Sequence, residues 1–377
     1  QRLSLQMDEF MNRRYEFRYN TQIGEVEYRE RFSFQFYFHP IDKQAQNSIM
    51  LDAQSEGIGV WDRDIDRYLH SNRVPIYNPL EEFLFHLPHW DGKDRIHALA
   101  NRVPCKNPHW ELLFHRWFLN MVSHWRGVDK MHANNTSPIL VGRQGTYKST
   151  FCREMIPPAL RAYYTDSIDF SHKRDAELYL NRFALINIDE FDQITLPQQG
   201  FLKHILQKPV VNLRKPHGRS VLELQRYASF IGTSNQKDLL TDPSGSRRFI
   251  CIEVTGNIDT TQPIDYEQLY AQAMYEIHHG ERYWFDSEDE QIMTENNREF
   301  EQTPAMLQLF YQYFKTAQTK EEGEFLTPVE ILNYLKKKSG MSLSDNKVYH
   351  FGRLLQKCGI PSKHTYKGTV YQVIKLS

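Results

Sequence analysis

The residues best placed to do chemistry lie in Ile139–Phe151, "ILVGRQGTYKSTF". Gly142, Arg143, Gln144, Gly145, Thr146, Tyr147, Lys148, Ser149 and Thr150 follow an apolar run and precede a helix-like segment. That is the order in which a strand, a turn with inward N–H groups and a helix N-terminus build a phosphate site. In this reading Gly142 and Gly145 let the backbone bend around ATP and Lys148 reaches its β- and γ-phosphates. The Ser149 hydroxyl ligates Mg²⁺, and Thr150 donates to the α-phosphate. Tyr147 occupies the second glycine of the pattern G-x-x-x-x-G-K-[ST], where we expect a helical conformation with the ring turned away from the phosphates. Taken alone, the stretch also reads as an ordinary turn before a helix.

A second element strengthens the first. "ALINIDEFD" is an apolar strand ending in Asp189 and Glu190. In an ATPase Asp189 belongs with Ser149 in the metal shell, and Glu190 orients or deprotonates the attacking water. The plainer alternative is a buried strand followed by an acidic turn. A third strand, "ASFIGTSN", ends in Asn235, whose amide suits a sensor bridging the γ-phosphate and the water, although asparagine also favours strand-end turns. Thr233 and Ser234 read as turn hydroxyls. In "DPSGSRRFICIEV", Arg247 and Arg248 precede another strand, where one of them suits a finger reaching a neighbour's γ-phosphate and the other a salt bridge. Sequence does not distinguish the two. "VVNLR" and "SVLEL" flank Lys215, His217 and Arg219, a hairpin whose basic tip fits single-stranded nucleic acid as well as a solvated turn.

These motifs, with "YNPLEEFLFHLPHWDGKDRI" upstream, resemble the virulence-associated protein E family, whose core is similar to superfamily three helicases. The resemblance reaches to about Trp284. It implies a hexameric or otherwise ring-forming ATPase, often of prophages and mobile elements, that acts in DNA replication and is sometimes fused to a primase. No primase-like carboxylate triad is visible in Gln1 to Ala100. A nucleotide-gated DNA-binding or scaffold ATPase without strand separation is the alternative function.

The elements that must position these residues alternate between strand and helix patterns, so we expect an α/β fold: a P-loop, AAA+-like three-layer core on a parallel sheet. The expected division is an α+β domain over 1–105, the ATPase core over 106–285, a helical linker over 286–325 and a winged-helix-like domain over 326–377. Alternating aromatic and charged residues over Glu16–Phe38 predict strands. In the tail, two amphipathic helices and a hairpin carry Lys336, Lys337, Lys338, Lys347, Arg353, Lys357, Lys363 and Lys367 against one acid, Asp345. A recognition helix with Lys347, His350 and Arg353 and a wing with Lys363 and Lys367 would contact DNA phosphates.

The whole chain of 377 residues has a formal net charge of −1, so a nucleic-acid surface must be local. Its four cysteines show no zinc-ligand spacing, and no apolar run nears the roughly 20 residues that span a bilayer. We therefore expect a cytoplasmic protein with no membrane partner. A start at Gln1 rather than Met suggests a piece of a longer protein.

Overall fold

The computed structural model describes residues 2–34, 36–213, 221–241, 243–301, 305–317, 323–340, 348–366 and 368–376. The chain divides into two compact units, Gln1–Glu301 and Gln302–Ser377. The first begins with α1 (Arg2–Arg14), β1 (Tyr15–Asn20), β2 (Glu25–Glu30), β3 (His39–Pro40), α2 (Lys43–Ser55), α3 (Asp62–Leu69) and β4 (Ile76–Tyr77). Their strands form one sheet in the order β3-β2-β1-β4. Gly24 makes the β1–β2 hairpin possible by taking φ +73°, which costs a residue without Cβ little. Phe10, Tyr15, Phe17, Val26, Ile49 and Tyr68 bury a small core of their own. The alternating pattern outlasts the strand: beyond Glu30 the chain turns, and Phe32, Phe34, Phe36 and Tyr37 stand 72–96% exposed.

Next come α4 (Pro79–Phe85), α5 (Arg95–Ala100) and α6 (Trp110–Trp125), then β5 (Ser137–Val141), α7 (Lys148–Glu154), β6 (Tyr164–Thr165), α8 (Lys173–Arg182), β7 (Leu185–Ile188) and α9 (Leu196–Leu206). The strands β8 (Val210–Leu213) and β9 (Leu222–Gln225) pair antiparallel, and β10 (Ser229–Ser234), β11 (Phe249–Glu253), α10 (Tyr266–His278) and α11 (Ser287–Asn297) complete the unit. Five strands build a parallel sheet in the order β11-β5-β10-β7-β6. Its inner strands β5, β10 and β7 are buried along their whole length because both faces are covered, which is the usual condition of parallel sheets. Alternation decides which layer each side chain enters. Leu140, Leu185, Ile231, Ile250 and Ile252 pack with α6 and α10. Ile139, Ile186, Ile188, Phe230 and Cys251 pack with α8 and α9. The expected three layers are therefore present, with a mixed α/β composition.

Two boundaries differ from those read in the sequence. Helices α4 and α5, expected with the N-terminal domain, bury Leu80, Leu84, Ile96 and Leu99 in the core that α6 and α10 share. Helix α11, expected in a linker, is held by Asn297, whose amide donates to Ser246 O at 2.6 Å and Phe249 O at 2.7 Å while its oxygen accepts from Cys251 N. Buried amide bonds of this kind dock a polar helix that lacks a strong apolar stripe.

The second unit contains α12 (Ala305–Tyr313), β12 (Phe314–Thr316), β13 (Glu324–Leu326), α13 (Pro328–Ser339), α14 (Val348–Lys357), β14 (Ser362–Thr365) and β15 (Gly368–Lys375). Strand β15 pairs antiparallel with the other three. Thr327 caps α13 through a reciprocal bond with Glu330, as its Thr-Pro-x-Glu start predicts. Phe310, Phe314, Ile331, Leu335, Phe351 and Val373 form a separate core.

Gly232 allows β10 to run between β5 and β7. A Cβ there would lie 2.8 Å from Ile139 Cδ1 and 3.1 Å from Ile188 O, and the second of these is backbone. Gly232→Ala should lower the unfolding free energy by about 1–3 kcal/mol, read as an earlier urea midpoint at unchanged slope. A midpoint equal to that of the native chain would refute the tight packing.

Candidate functional site

The carboxyl ends of β5, β10 and β7 bring the first three motifs together. Gly142 leaves β5 beneath Val254, where a Cβ would meet Val254 O at 3.0 Å, and its N–H donates to Ser234 O at 3.0 Å. The loop 142–147 then closes on itself. Thr146 donates to Arg143 O at 2.9 Å, and Ile258 N bonds Thr146 O at 3.1 Å. Gly145 takes φ +83° with open space around it. Lys148 begins α7 and is only 6% exposed. Its Nζ donates to Gly142 O and Arg143 O, each at 2.8 Å, and to Asn235 Oδ1 at 3.1 Å. Burial pushes the Lys148 amine below its ordinary pKa, and the nearby Asp189 and Asp192 charges pull it back up.

Ser149 Oγ donates to Asp189 Oδ1 at 2.9 Å, and the Thr233 hydroxyl bonds the same carboxylate. Thr233 is therefore part of the site rather than the turn hydroxyl expected. Ser234 was also expected in a turn; it donates to Asp192 Oδ1 at 2.8 Å, and Asn235 N reaches the same oxygen at 3.3 Å. Burial alone would raise the Asp192 pKa, but the Ser234 and Gln193 donors and the Asn235 amide outweigh it and leave the group below its usual value. Sequence reading missed Asp192, although its place three residues after Asp189 in "DEFD" was a usable clue. A hydroxyl and a carboxylate in contact, beside a buried ammonium, form a donor set suited to a hard cation that keeps phosphate or water oxygens as its other ligands. Among the described residues no group of three or more His, Cys, Asp or Glu side chains is arranged to hold a metal by itself.

Two backbone positions stand apart. Among the described residues, Tyr147 at φ +65° and Glu190 at φ +52° are the non-glycine residues with positive φ. Both flank the site. Tyr147 is thus left-handed, not helical as expected from sequence. The glycine of the motif is a conformational requirement that this chain meets with a strained tyrosine whose side chain is half exposed. Glu190 is exposed at the end of β7, one residue beyond Asp189, and the same strain turns the chain into the 3₁₀ turn Phe191–Gln193. Arg143, Gln144 and Thr150 are exposed around the loop.

The arginines do not join this cluster. Phe249 pairs with Ser137 at the start of β5, so Arg247 and Arg248 lie at the opposite end of the sheet, on the order of 15 Å along the strands from Gly142. There they line an open cleft of about 340 Å³ with His132, Asn135, Gln207, Trp284 and Glu290. Arg247 donates to Glu290 at 3.0 Å. Arg248, half-buried, makes no hydrogen bond or ion pair among the described residues, and burial followed by the Arg247 charge lowers its pKa.

Of the residues expected to touch nucleic acid, Lys215, His217, Arg219, Lys347 and Lys367 lie outside the described residues. In sequence the 215–219 segment falls between the paired strands β8 and β9. Arg353 is exposed on α14. Lys363 on β14 sits 3.5 Å from the Phe325 ring centroid. Among the described residues no helix is long and apolar enough to cross a membrane.

Fold and site define a three-layer α/β protein whose lysine, hydroxyls and carboxylates converge at the carboxyl edge of a parallel sheet. The chain belongs to the virulence-associated protein E-like family: the profile of the "Virulence-associated protein E-like domain" matches residues 84–302. A second profile, a domain of unknown function described from a B. Theta gene (DUF3874), matches residues 303–373. No curated protein matches the chain significantly. Similar solved structures include "The apo structure of NrS-1 C terminal region (305-718)", 12% identical with TM-score 0.49, covering 99% of this chain and 98% of that one. "The A form apo structure of NrS-1 C terminal region-CTR" is 11% identical with TM-score 0.45, covering 98% and 99%.

The left-handed turn at Tyr147 gives a direct test. Tyr147→Gly should be more stable than Tyr147→Val by about 1–3 kcal/mol, because a β-branched residue tolerates this φ least. Equal thermal midpoints for the two variants would contradict the backbone conformation.

Proposed function

We propose that this protein is an ATP-hydrolysing DNA motor, a helicase or translocase of phage or mobile-element replication, working as a ring of identical subunits. The observation that carries this reading is the convergence of Lys148, Ser149 and Asp189 on one sheet edge, with Asn235 on the strand between. In this reading the 142–150 loop is a P-loop, its N–H groups hold the phosphates of ATP, and Ser149 and Asp189 hold Mg²⁺. The cation supplies electrostatic stabilisation of charge on the transferred phosphoryl group. Lys148 moves its ammonium from the Gly142 and Arg143 carbonyls to the terminal phosphates. Glu190, at the mouth of the site, accepts the water proton on its carboxylate, and Asn235 orients that water while Asp192 fixes the Asn235 backbone.

The separation between the arginines and the loop supports hydrolysis between subunits, since neither side chain can span the length of its own sheet. Arg248 is the better finger because Arg247 is engaged by Glu290. The hairpin residues Lys215, His217 and Arg219, together with Arg353, Lys363, Lys347 and Lys367 on a winged-helix-like second unit, are assigned to DNA phosphates. The α13–α14–β14–β15 succession in that unit supports the winged-helix reading.

Lys148→Ala should abolish ATP hydrolysis measured by phosphate release; turnover at the native rate would refute the site. Arg248→Ala should slow turnover by about 10³-fold or more while ATP binding by calorimetry persists, and Arg247→Ala should have a smaller effect. Mixing the Lys148→Ala and Arg248→Ala proteins should restore part of the activity if the arginine acts across an interface, whereas an inert mixture would argue against a trans finger. Unwinding of forked DNA with ATP, but not with a non-hydrolysable analogue, separates the motor from a nucleotide-gated scaffold.

A further inference from the structure

Four aromatic side chains between β2 and β3 take no part in the site above. Phe32, Phe34, Phe36 and Tyr37 are 88%, 96%, 72% and 79% exposed. Among the described residues none of the four rings contacts another aromatic ring or lies under a cation. Exposed apolar side chains gathered in one segment mark a contact surface. Here the rings stand apart instead of collapsing together, so each keeps its faces open to solvent.

The base of this loop is fixed by two arginines. Arg29 Nη1 donates to Phe36 O at 3.0 Å, and Arg31 Nε to Asn12 O at 2.7 Å. The same guanidiniums share one carboxylate: Arg29 Nε donates to Glu16 Oε2 at 2.6 Å and Arg31 Nη1 to Glu16 Oε1 at 2.7 Å. Two cations against one anion leave a local positive surplus. Glu30 falls on the opposite face of β2 from Arg29 by strand alternation, and no acidic residue occurs from Arg31 to Ile41. The next ring, Phe38, already stacks on cations. The Arg18 and Arg29 guanidinium carbons lie 3.9 and 4.7 Å from its centroid, and Arg18 is also 3.7 Å from that of Tyr77. Arg18 is paired with Glu27, so the surplus rests on Arg29 and Arg31.

Open ring faces beside surplus guanidiniums are the elements of a single-strand surface, on which bases stack while cations hold the phosphates. A second protein chain fits less well. A protein interface has a close-packed apolar core, and these rings do not form one. Strand addition is also discouraged, because β3 at the sheet edge is two residues long and includes Pro40, which has no N–H to offer.

We infer that the β2–β3 loop is a stacking platform for single-stranded nucleic acid, with bases on Phe32, Phe34, Phe36 and Tyr37 and phosphates against Arg29 and Arg31. This rests on the DNA function proposed above and adds a contact surface on the N-terminal sheet. Stacking uses the ring face that every base has, so the platform is tolerant of sequence, as a motor requires.

The test uses the full chain and a fluorescent oligothymidylate, with affinity read by anisotropy over a range of salt concentrations and particle mass by light scattering. Phe34→Ala and Phe36→Ala alter exposed rings, so folding is not at stake. Each should weaken binding by about tenfold at unchanged mass, and Phe34→Trp should keep native affinity. The salt dependence should stay native in these variants, whereas Arg31→Gln should lower the slope of log K against log salt by about 0.7. Light-induced crosslinks from an iodouracil-substituted oligonucleotide should fall on Phe32, Phe34, Phe36 or Tyr37 of the native chain, an arm that needs no variant. Native affinity in both alanine variants overturns the inference, as do crosslinks confined to other segments. Alanine variants that bind normally but lose particle mass assign the loop to contact between copies, which also overturns it. A native chain that binds no oligonucleotide refutes the DNA function itself.

Discussion

Asp189 accepts hydroxyls from two directions, from Ser149 at the start of α7 and from Thr233 at the end of β10, and this shared acceptor locks three elements into one edge. The carboxylate is exposed at the rim of a sheet whose inner strands are buried along their whole length. Lys148, close by and almost fully buried, has its positive charge held by carbonyls and one amide oxygen rather than by a direct ion pair. A lysine in that state keeps its charge available for an incoming anion, because each neutral partner can be exchanged without separating opposite charges. The strain at Tyr147 and Glu190 surrounds this arrangement. Unfavourable backbone angles persist where packing over-determines them, and here the buried β5, β7 and α7 residues on either side do so.

The two ends of the parallel sheet have different characters. The carboxyl end gathers the lysine, hydroxyls and carboxylates, whereas the amino end carries the paired arginines in a cleft beside Trp284 and His132, whose rings stack at 4.7 Å. A single subunit cannot bring one end onto the other, since ladder hydrogen bonds hold the parallel strands side by side. If both ends serve one reaction, as proposed, they must come from different copies. Assembly would then be a chemical requirement rather than an accessory property.

Polar residues inside the molecule carry much of its specificity. Asn297 joins α11 to β11, and Asn20 links the N-terminal sheet to Tyr163 at 2.8 Å. Hydrophobic burial would accept many arrangements of these pieces, but directional bonds in a dry interior accept few.

From the sequence alone, the order of strands and helices, the three layers and the cluster of Lys148, Ser149, Asp189 and Asn235 were legible. Those features depend on local periodicity and on the place of each residue beside its own strand end, which a short stretch of chain reveals. The left-handed state of Tyr147, the recruitment of Thr233 and Asp192, the exposed aromatics after β2 and the docking of α4, α5 and α11 were not legible. Each is decided by groups distant in sequence: a hydroxyl becomes a ligand rather than a turn former only when another strand brings a carboxylate within 3 Å. The unequal pairing of Arg247 and Arg248 has the same origin, because Glu290 on α11 approaches only after the chain has folded. Local chemistry named the candidate groups, and long-range packing chose their partners, since hydrogen bonds and desolvation act over a few ångströms of space regardless of separation along the chain.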